Sequence, residues 1–204
     1  MDTGFCLWFT GRSGSGKSAI ADALTAHLTG LGLPVEHVEE EKLAADILQE
    51  SRAGETEQHA LVKTALTMAR SLLNHGIIPI VTLRTPMESW RREIKQQLPA
   101  AIMLYTKCKK EVCAERDPHN LYHQGKDAPV PGVDGVFEEP QQADLVLNTY
   151  IDDKDHCAQA VIRHLELNGY LEISSEPTKE PPADGYQSDE EKEIKKRLLD
   201  LGYL

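Results

Sequence analysis

The octapeptide Gly11-Arg12-Ser13-Gly14-Ser15-Gly16-Lys17-Ser18 separates the apolar run Phe5 to Thr10 from a stretch in which Ile20, Ala21, Leu24, Leu28 and Leu31 recur at helical spacing. It fits the phosphate-binding pattern G-x-x-x-x-G-K-[ST] and stands where that pattern works, between a strand and a helix. This constrains the fold more than any other feature. A continuous apolar strand is one covered on both faces, and a loop turning from it into a helix aims backbone N–H groups at an anion. The expected nucleotide set is Gly11, Ser13, Gly14, Ser15, Gly16, Lys17 and Ser18. Glycines let consecutive N–H groups turn inward, Lys17 reaches β- and γ-phosphate oxygens, and the Ser18 hydroxyl is a ligand for Mg²⁺. The loop therefore implies a nucleoside triphosphate together with Mg²⁺.

Strand and helix alternate along the rest of the chain. Gly30, Gly32 and Pro34 stop the first helix, and Val35 to Val38 reads as a strand. Residues 56–75 read as a helix ended by Gly76, and Ile77 to Leu83 as a strand in which Pro79 argues against a fully central place. Met87 to Leu98 is a charged helix, Ala101 to Thr106 a strand, Lys109 to Arg116 a helix, Asp144 to Asn148 a strand, and Asp153 to Asn168 an amphipathic helix. The alternation predicts an α/β fold: a P-loop NTPase-type doubly wound parallel sheet of about five strands with helices on both faces. Asp117 to Pro140 is rich in Gly, Pro and His without a clear period, as expected of a lid loop. Within it His119 and His123 stand at i, i+4 but between Pro118 and Gly125 and without a third ligand, which argues against a metal site.

Charge narrows the partners. Against 22 basic side chains the chain carries 33 acidic ones, a formal charge of −11. Such a surface repels a polyanion, so no nucleic-acid partner is expected and phosphate must be gripped locally. No apolar run approaches the roughly 18 residues of a bilayer span, and the first residues lack a basic leader, so neither membrane nor secretion is expected. Cys6, Cys108, Cys113 and Cys157 form no C-x-x-C pair, which points to reduced thiols in a cytoplasm. The kinase-type domain is expected over 1–171, followed by a flexible acidic and Pro-rich linker over 172–187 and a short capped helix over 188–204. That helix is either a solvated tail or a segment that docks a partner or another protomer.

Beyond the loop, a resemblance runs over roughly residues 4–170. The opening GFCLWFTGRSGSGKSAIADAL resembles the start of adenylylsulfate (APS) kinases. Glu111 to Asp117 with Leu121-Tyr122 is similar to the family's V-C-E-x-R-D-x-x-G-L-Y, and Gly132-Val133-Asp134 with Phe137-Glu138 and Pro140 to its G-[IV]-D-x-x-Y-E-x-P. Asp144 to Thr149 resembles its closing strand. The resemblance implies a kinase that transfers the ATP γ-phosphoryl to the 3′-hydroxyl of APS, giving PAPS, with Arg116 beside the ATP base and a homodimer as the assembly.

Departures cluster on the acceptor side. The family's Asp-Gly-Asp reads Glu39-Glu40-Glu41, which keeps a carboxylate at both outer positions. By resemblance Glu39 supports Mg²⁺ with Ser18, and Glu41 orients the acceptor hydroxyl. A family Arg becomes Ala44, and the Arg- and Asn-bearing segment falls on 57–64, where Lys63 keeps a positive charge. Ser-Pro-Tyr becomes Thr85-Pro86-Met87, the lid phenylalanine becomes Val130, and Arg84 replaces an apolar residue. Arg84, Thr85 and Lys63 are the expected acceptor contacts. These departures leave two alternatives open: the same transfer to a different nucleotide-linked acceptor, and a catalytically weak nucleotide-binding scaffold.

Overall fold

Five strands form one parallel sheet: β1 Cys6–Thr10, β2 Val35–Glu39, β3 Ile78–Thr82, β4 Ala101–Lys107 and β5 Leu145–Asn148, in the spatial order β2-β3-β1-β4-β5. The computed structural model describes residues 4–47, 54–117, 121–122 and 130–171. The linker over 172–187, the helix over 188–204 and lid residues His119, His123 and Lys126 lie outside the described residues.

Six helices accompany the sheet among the described residues: α1 Lys17–Gly30, α2 Glu40–Ile47, α3 Glu55–Asn74, α4 Glu88–Gln97, α5 Lys110–Arg116 and α6 Lys154–Leu167. The period of two along β1 divides its apolar run between two cores. Cys6 and Trp8 pack with Leu61, Val62 and Ala65 of α3 and with Trp90 and Ile94 of α4. Leu7 and Phe9 pack with Ile20, Ala21, Leu24 and Leu28 of α1 and with Val161 and Leu165 of α6. A strand apolar at every position is what a sheet with helices on both faces requires.

Pro79 sits inside this sheet, not at its edge, because β3 lies between β2 and β1. The Ile78 N–H donates to the Pro34 carbonyl on the β2 side, so the missing N–H of Pro79 faces β1. Pairing with β1 begins only at Leu7↔Ile80. Proline therefore removes a donor one residue before the paired stretch with β1 begins.

The sequence reading holds no counterpart of α2. Glu39-Glu40-Glu41 follows the second strand without a helical signal, and Glu40 and Glu41 form the first turn of this helix, where carboxylates face its positive end. Of its eight residues only Glu40 and Leu43 are buried, too few to write an apolar period.

Candidate active site

The phosphate loop joins the carboxyl end of β1 to the first residue of α1. Gly16, just ahead of that helix, holds a left-handed φ of 92°. Gly14 has φ 74°, and a Cβ there would lie 2.5 Å from the Cys113 carbonyl oxygen of α5. A Cβ on Gly11 would fall 2.1 Å from Thr106 Oγ1 of β4. The loop thus runs so close to β4 and α5 that only hydrogen fits at these positions. Ser15 Oγ and Thr106 Oγ1 share a hydrogen bond of 2.7 Å, and the Thr106 hydroxyl donates to the Thr10 carbonyl at 3.1 Å, fixing the loop to the sheet.

Lys17 is buried, and its ammonium donates to the carbonyls of Gly11 at 3.1 Å and Arg12 at 2.9 Å, within its own loop. Burial lowers its pKa from the ordinary lysine value, against the opposing charges of Glu40 and Glu41. Ser18 follows in the first turn of α1. Its hydroxyl makes no hydrogen bond to protein among the described residues, which leaves oxygen lone pairs for a hard cation.

The three carboxylates where β2 passes into α2 face different ways. Glu39 is ion-paired with Lys42 and lies 3.7 Å from His37 Nδ1. Glu41 is exposed on the first turn of α2, with its charge felt by Lys17. Glu40, which the sequence did not single out, is 5% exposed. Its Oε2 accepts the Arg84 backbone N–H and its Oε1 the Arg84 Nε–H, each at 2.5 Å, and the two side chains form an ion pair. Burial acts to raise the Glu40 carboxyl, but the Arg84 charge and hydrogen bonds together with the Lys17 charge outweigh it, so its pKa falls below the usual glutamate value.

Of the expected acceptor residues, Arg84 and Thr85 stand together past the carboxyl end of β3, both buried. Arg84 Nη2 donates to Gln58 Oε1 at 2.8 Å, and Gln58 Nε2 returns a hydrogen bond to the Arg84 carbonyl at 2.9 Å. Thr85 Oγ1 accepts from Trp8 Nε1 at 3.1 Å, and its carbonyl from Thr10 Oγ1 and Arg91 Nη1. Lys63 is not brought to this group: it lies exposed on α3, whose buried residues include Leu61, Val62, Ala65 and Leu66. At the third position of the aligned Arg-bearing segment, His59 stacks on Trp90, with centroids 4.6 Å apart, and bonds Glu93 at 3.1 Å. Arg116, at the end of α5, donates to the Thr149 carbonyl at 2.9 Å.

Residues 130–138 form the base of the lid and close on the loop. The Ser13 N–H donates to the Gly132 carbonyl at 2.9 Å, Arg12 Nη1 to the Val133 carbonyl at 3.1 Å, and Tyr122 Oη to the Ser13 carbonyl at 3.0 Å. Val130 is buried with Leu121 and Val133. Neither Arg12 nor Tyr122 was among the expected site residues. The signal available for Tyr122 was its place in the Leu-Tyr pair after Arg116-Asp117.

A phosphate loop with a buried lysine, opening at the carboxyl ends of a five-stranded parallel sheet beside a run of carboxylates, defines a P-loop kinase. Residues 3–148 match the model of the adenylylsulphate kinase family. A probable adenylyl-sulfate kinase of Archaeoglobus fulgidus is 31% identical over 153 residues, covering 74% of this chain and 99% of that relative. An adenylyl-sulfate kinase of Synechococcus sp. is 28% identical over 172 residues, covering 83% and 98%. The Mycobacterium tuberculosis APS kinase CysC, solved in complex with AMPPNP and APS, shares the fold with a TM-score of 0.73 at 24% identity, covering 81% of this chain and 99% of that one. This chain belongs to the adenylylsulphate kinase family and is a phosphotransferase with a hydroxyl acceptor. No helix among the described residues is long and apolar enough to cross a membrane.

Proposed function

We propose that this chain transfers the γ-phosphoryl group of ATP to the 3′-hydroxyl of APS, giving PAPS. The observation that carries the reading is the phosphate loop itself, with Lys17 buried against it and the carboxylates of Glu40 and Glu41 close enough to act on that lysine. The loop amides hold the β-phosphate and Lys17 neutralises charge as the γ-phosphoryl moves. Glu41 accepts the hydrogen bond of the attacking hydroxyl and orients it. Arg116 borders the base, and the lid over 118–139 excludes water.

Mg²⁺ fits the donors present. The Ser18 hydroxyl and the Glu39 carboxylate are hard oxygen donors, and no cluster of three His, Cys, Asp or Glu among the described residues offers an all-protein cage. That is the usual arrangement for an ion held largely by water and nucleotide phosphates. When bound it supplies charge neutralisation across the β- and γ-phosphates. The four cysteines are free thiols, as suits a reducing compartment, and we place the enzyme in the cytoplasm.

The test is ADP release from Mg·ATP with and without APS, with Lys17→Ala as the blank. The expected result is APS-dependent ADP and PAPS in the wild type and none in the variant. Wild-type ADP release that ignores APS would overturn the acceptor, and a screen of other nucleotide-linked acceptors would replace it. A Lys17→Ala variant with full turnover would overturn the loop as the active site.

A further inference from the structure

Two departures from the family pattern that lie far apart in sequence meet in space. Glu40 stands where the pattern has Gly, Arg84 where it has an apolar residue, and each is the other's partner. Gln58, fully buried on α3, closes the group by bonding both the guanidinium and the carbonyl of Arg84. A buried ion pair is seldom more stabilising than apolar residues of the same volume. Its presence in place of the simpler pair calls for a functional reason.

Donor accounting supplies one. Arginine has five N–H donors. Nε and Nη2 are spent on Glu40 and Gln58, while among the described residues Nη1 reaches only the Pro131 carbonyl, at 3.4 Å. That is a long contact for an N–H donor, and an oxyanion beside it offers a shorter, charge-assisted bond. The position suits such a ligand. Arg84 follows the carboxyl end of β3, where parallel sheets take their ligands. Its aliphatic stem underlies Gly132 of the lid base, where a Cβ would come within 3.2 Å of Arg84 Cβ. Its charge is also one of those that reach Lys17.

We infer that Arg84 is a specificity-determining residue for the acceptor: fixed along one edge by Glu40 and Gln58, it presents its Nη1 edge to the acceptor's phosphosulfate beneath the lid base. The inference rests on the reading of APS as acceptor. Because Glu40 already neutralises its charge, Arg84 selects by the direction of its donors more than by attraction, a task a lysine's point charge does not perform.

The experiment compares KM for APS and for ATP, with kcat, in the full chain, Arg84→Lys, and the double variant Glu40→Gly with Arg84→Ile. The double variant restores the family residue types and leaves no buried charge unpaired, so it remains testable where Arg84→Lys fails to fold. A thermal melt and Mg·ADP binding report folding and loop integrity for each. The expected result is an APS KM raised at least about tenfold in both variants, with the ATP KM within about twofold of wild type. An unchanged APS KM in the double variant overturns the inference and leaves the pair a structural one. A parallel rise in both KM values overturns it too, by placing the effect on the nucleotide. Wild-type protein without APS-dependent turnover removes the acceptor reading itself, and this inference with it.

Discussion

Gly14 meets two constraints at once: a left-handed φ of 74° and a neighbouring carbonyl 2.5 Å from where a Cβ would stand. Strain alone costs a non-glycine residue about 1–3 kcal/mol there, and the Cys113 carbonyl belongs to helix backbone, which does not yield as a side-chain tip does. Gly14→Ala is therefore expected to push the loop off α5. Turnover and Mg·ATP affinity should each fall at least about tenfold, with the thermal midpoint lowered by only a few degrees. Isothermal titration with Mg·ADP beside a melt checks this, and wild-type affinity in the variant would mean that the loop does not need this contact. Gly14, Lys17 and Ser18 were legible in the sequence because a phosphate loop is a local device, written in eight adjacent residues. Glu40 was not, since its meaning lies in Arg84, which is 44 residues away. Lys63 shows the converse: an aligned position keeps its charge, but the turn of α3 carries it to solvent.

At the scale of elements, the alternating strands and helices were readable from period and punctuation, and their ends fall within a residue or two of the structure. The exception, α2, is short, polar and nearly devoid of apolar period, so only the run of helix formers after Glu39 and the acidic first turn announced it. The last helix, α6, shows what a written signal looks like. Asp153 caps it, its carboxylate accepting the backbone N–H groups of Asp155 at 3.0 Å and His156 at 2.8 Å. The His156 backbone hydrogen bond, with the His156 side chain behind it, holds the Asp153 carboxyl below its ordinary 3.8. A carboxyl whose pKa is depressed by folding adds stability above its unfolded pKa and loses it as pH falls through the folded one. Asp153→Ala should therefore lower the midpoint at pH 7 by about 2–4 °C, Asp153→Asn by less, and the gap from wild type should narrow as pH drops below 3.8. Thermal melts across that range measure it. A gap that stays constant with pH would show that the carboxylate charge contributes nothing to the cap.

Across the whole described unit, one short segment joins the two sides of the active site. Residues 130–138 bond the phosphate loop through Gly132 and Val133, the loop after β3 through the Glu138 N–H to the Pro86 carbonyl at 2.8 Å, and α4 through Arg91 Nη2 to the Glu138 carbonyl at 2.7 Å. Phe137 is the pin. Arg12 of the loop lies 5.2 Å from its ring and Arg91 of α4 lies 5.8 Å from it, while the ring itself stacks on Tyr105 of β4 at 6.0 Å. Cation–π contacts at partly exposed sites contribute about 0.5–1 kcal/mol each, and an aromatic pair a similar amount. Removing the ring should thus cost about 2 kcal/mol, roughly a thirtyfold change in a local opening equilibrium. The Gly132 and Val133 amides are suited to report it, because they donate to the carbonyls of Val136 and Val130 within the segment. In Phe137→Ala their hydrogen exchange should speed up by about that factor, while β1 and β4 amides keep their protection, since the opening is confined to the segment. Equal acceleration everywhere would mean that the ring supports the fold at large and does not couple the phosphate loop to the acceptor side. Unchanged rates at Gly132 and Val133 would mean that the backbone bonds hold the segment without it.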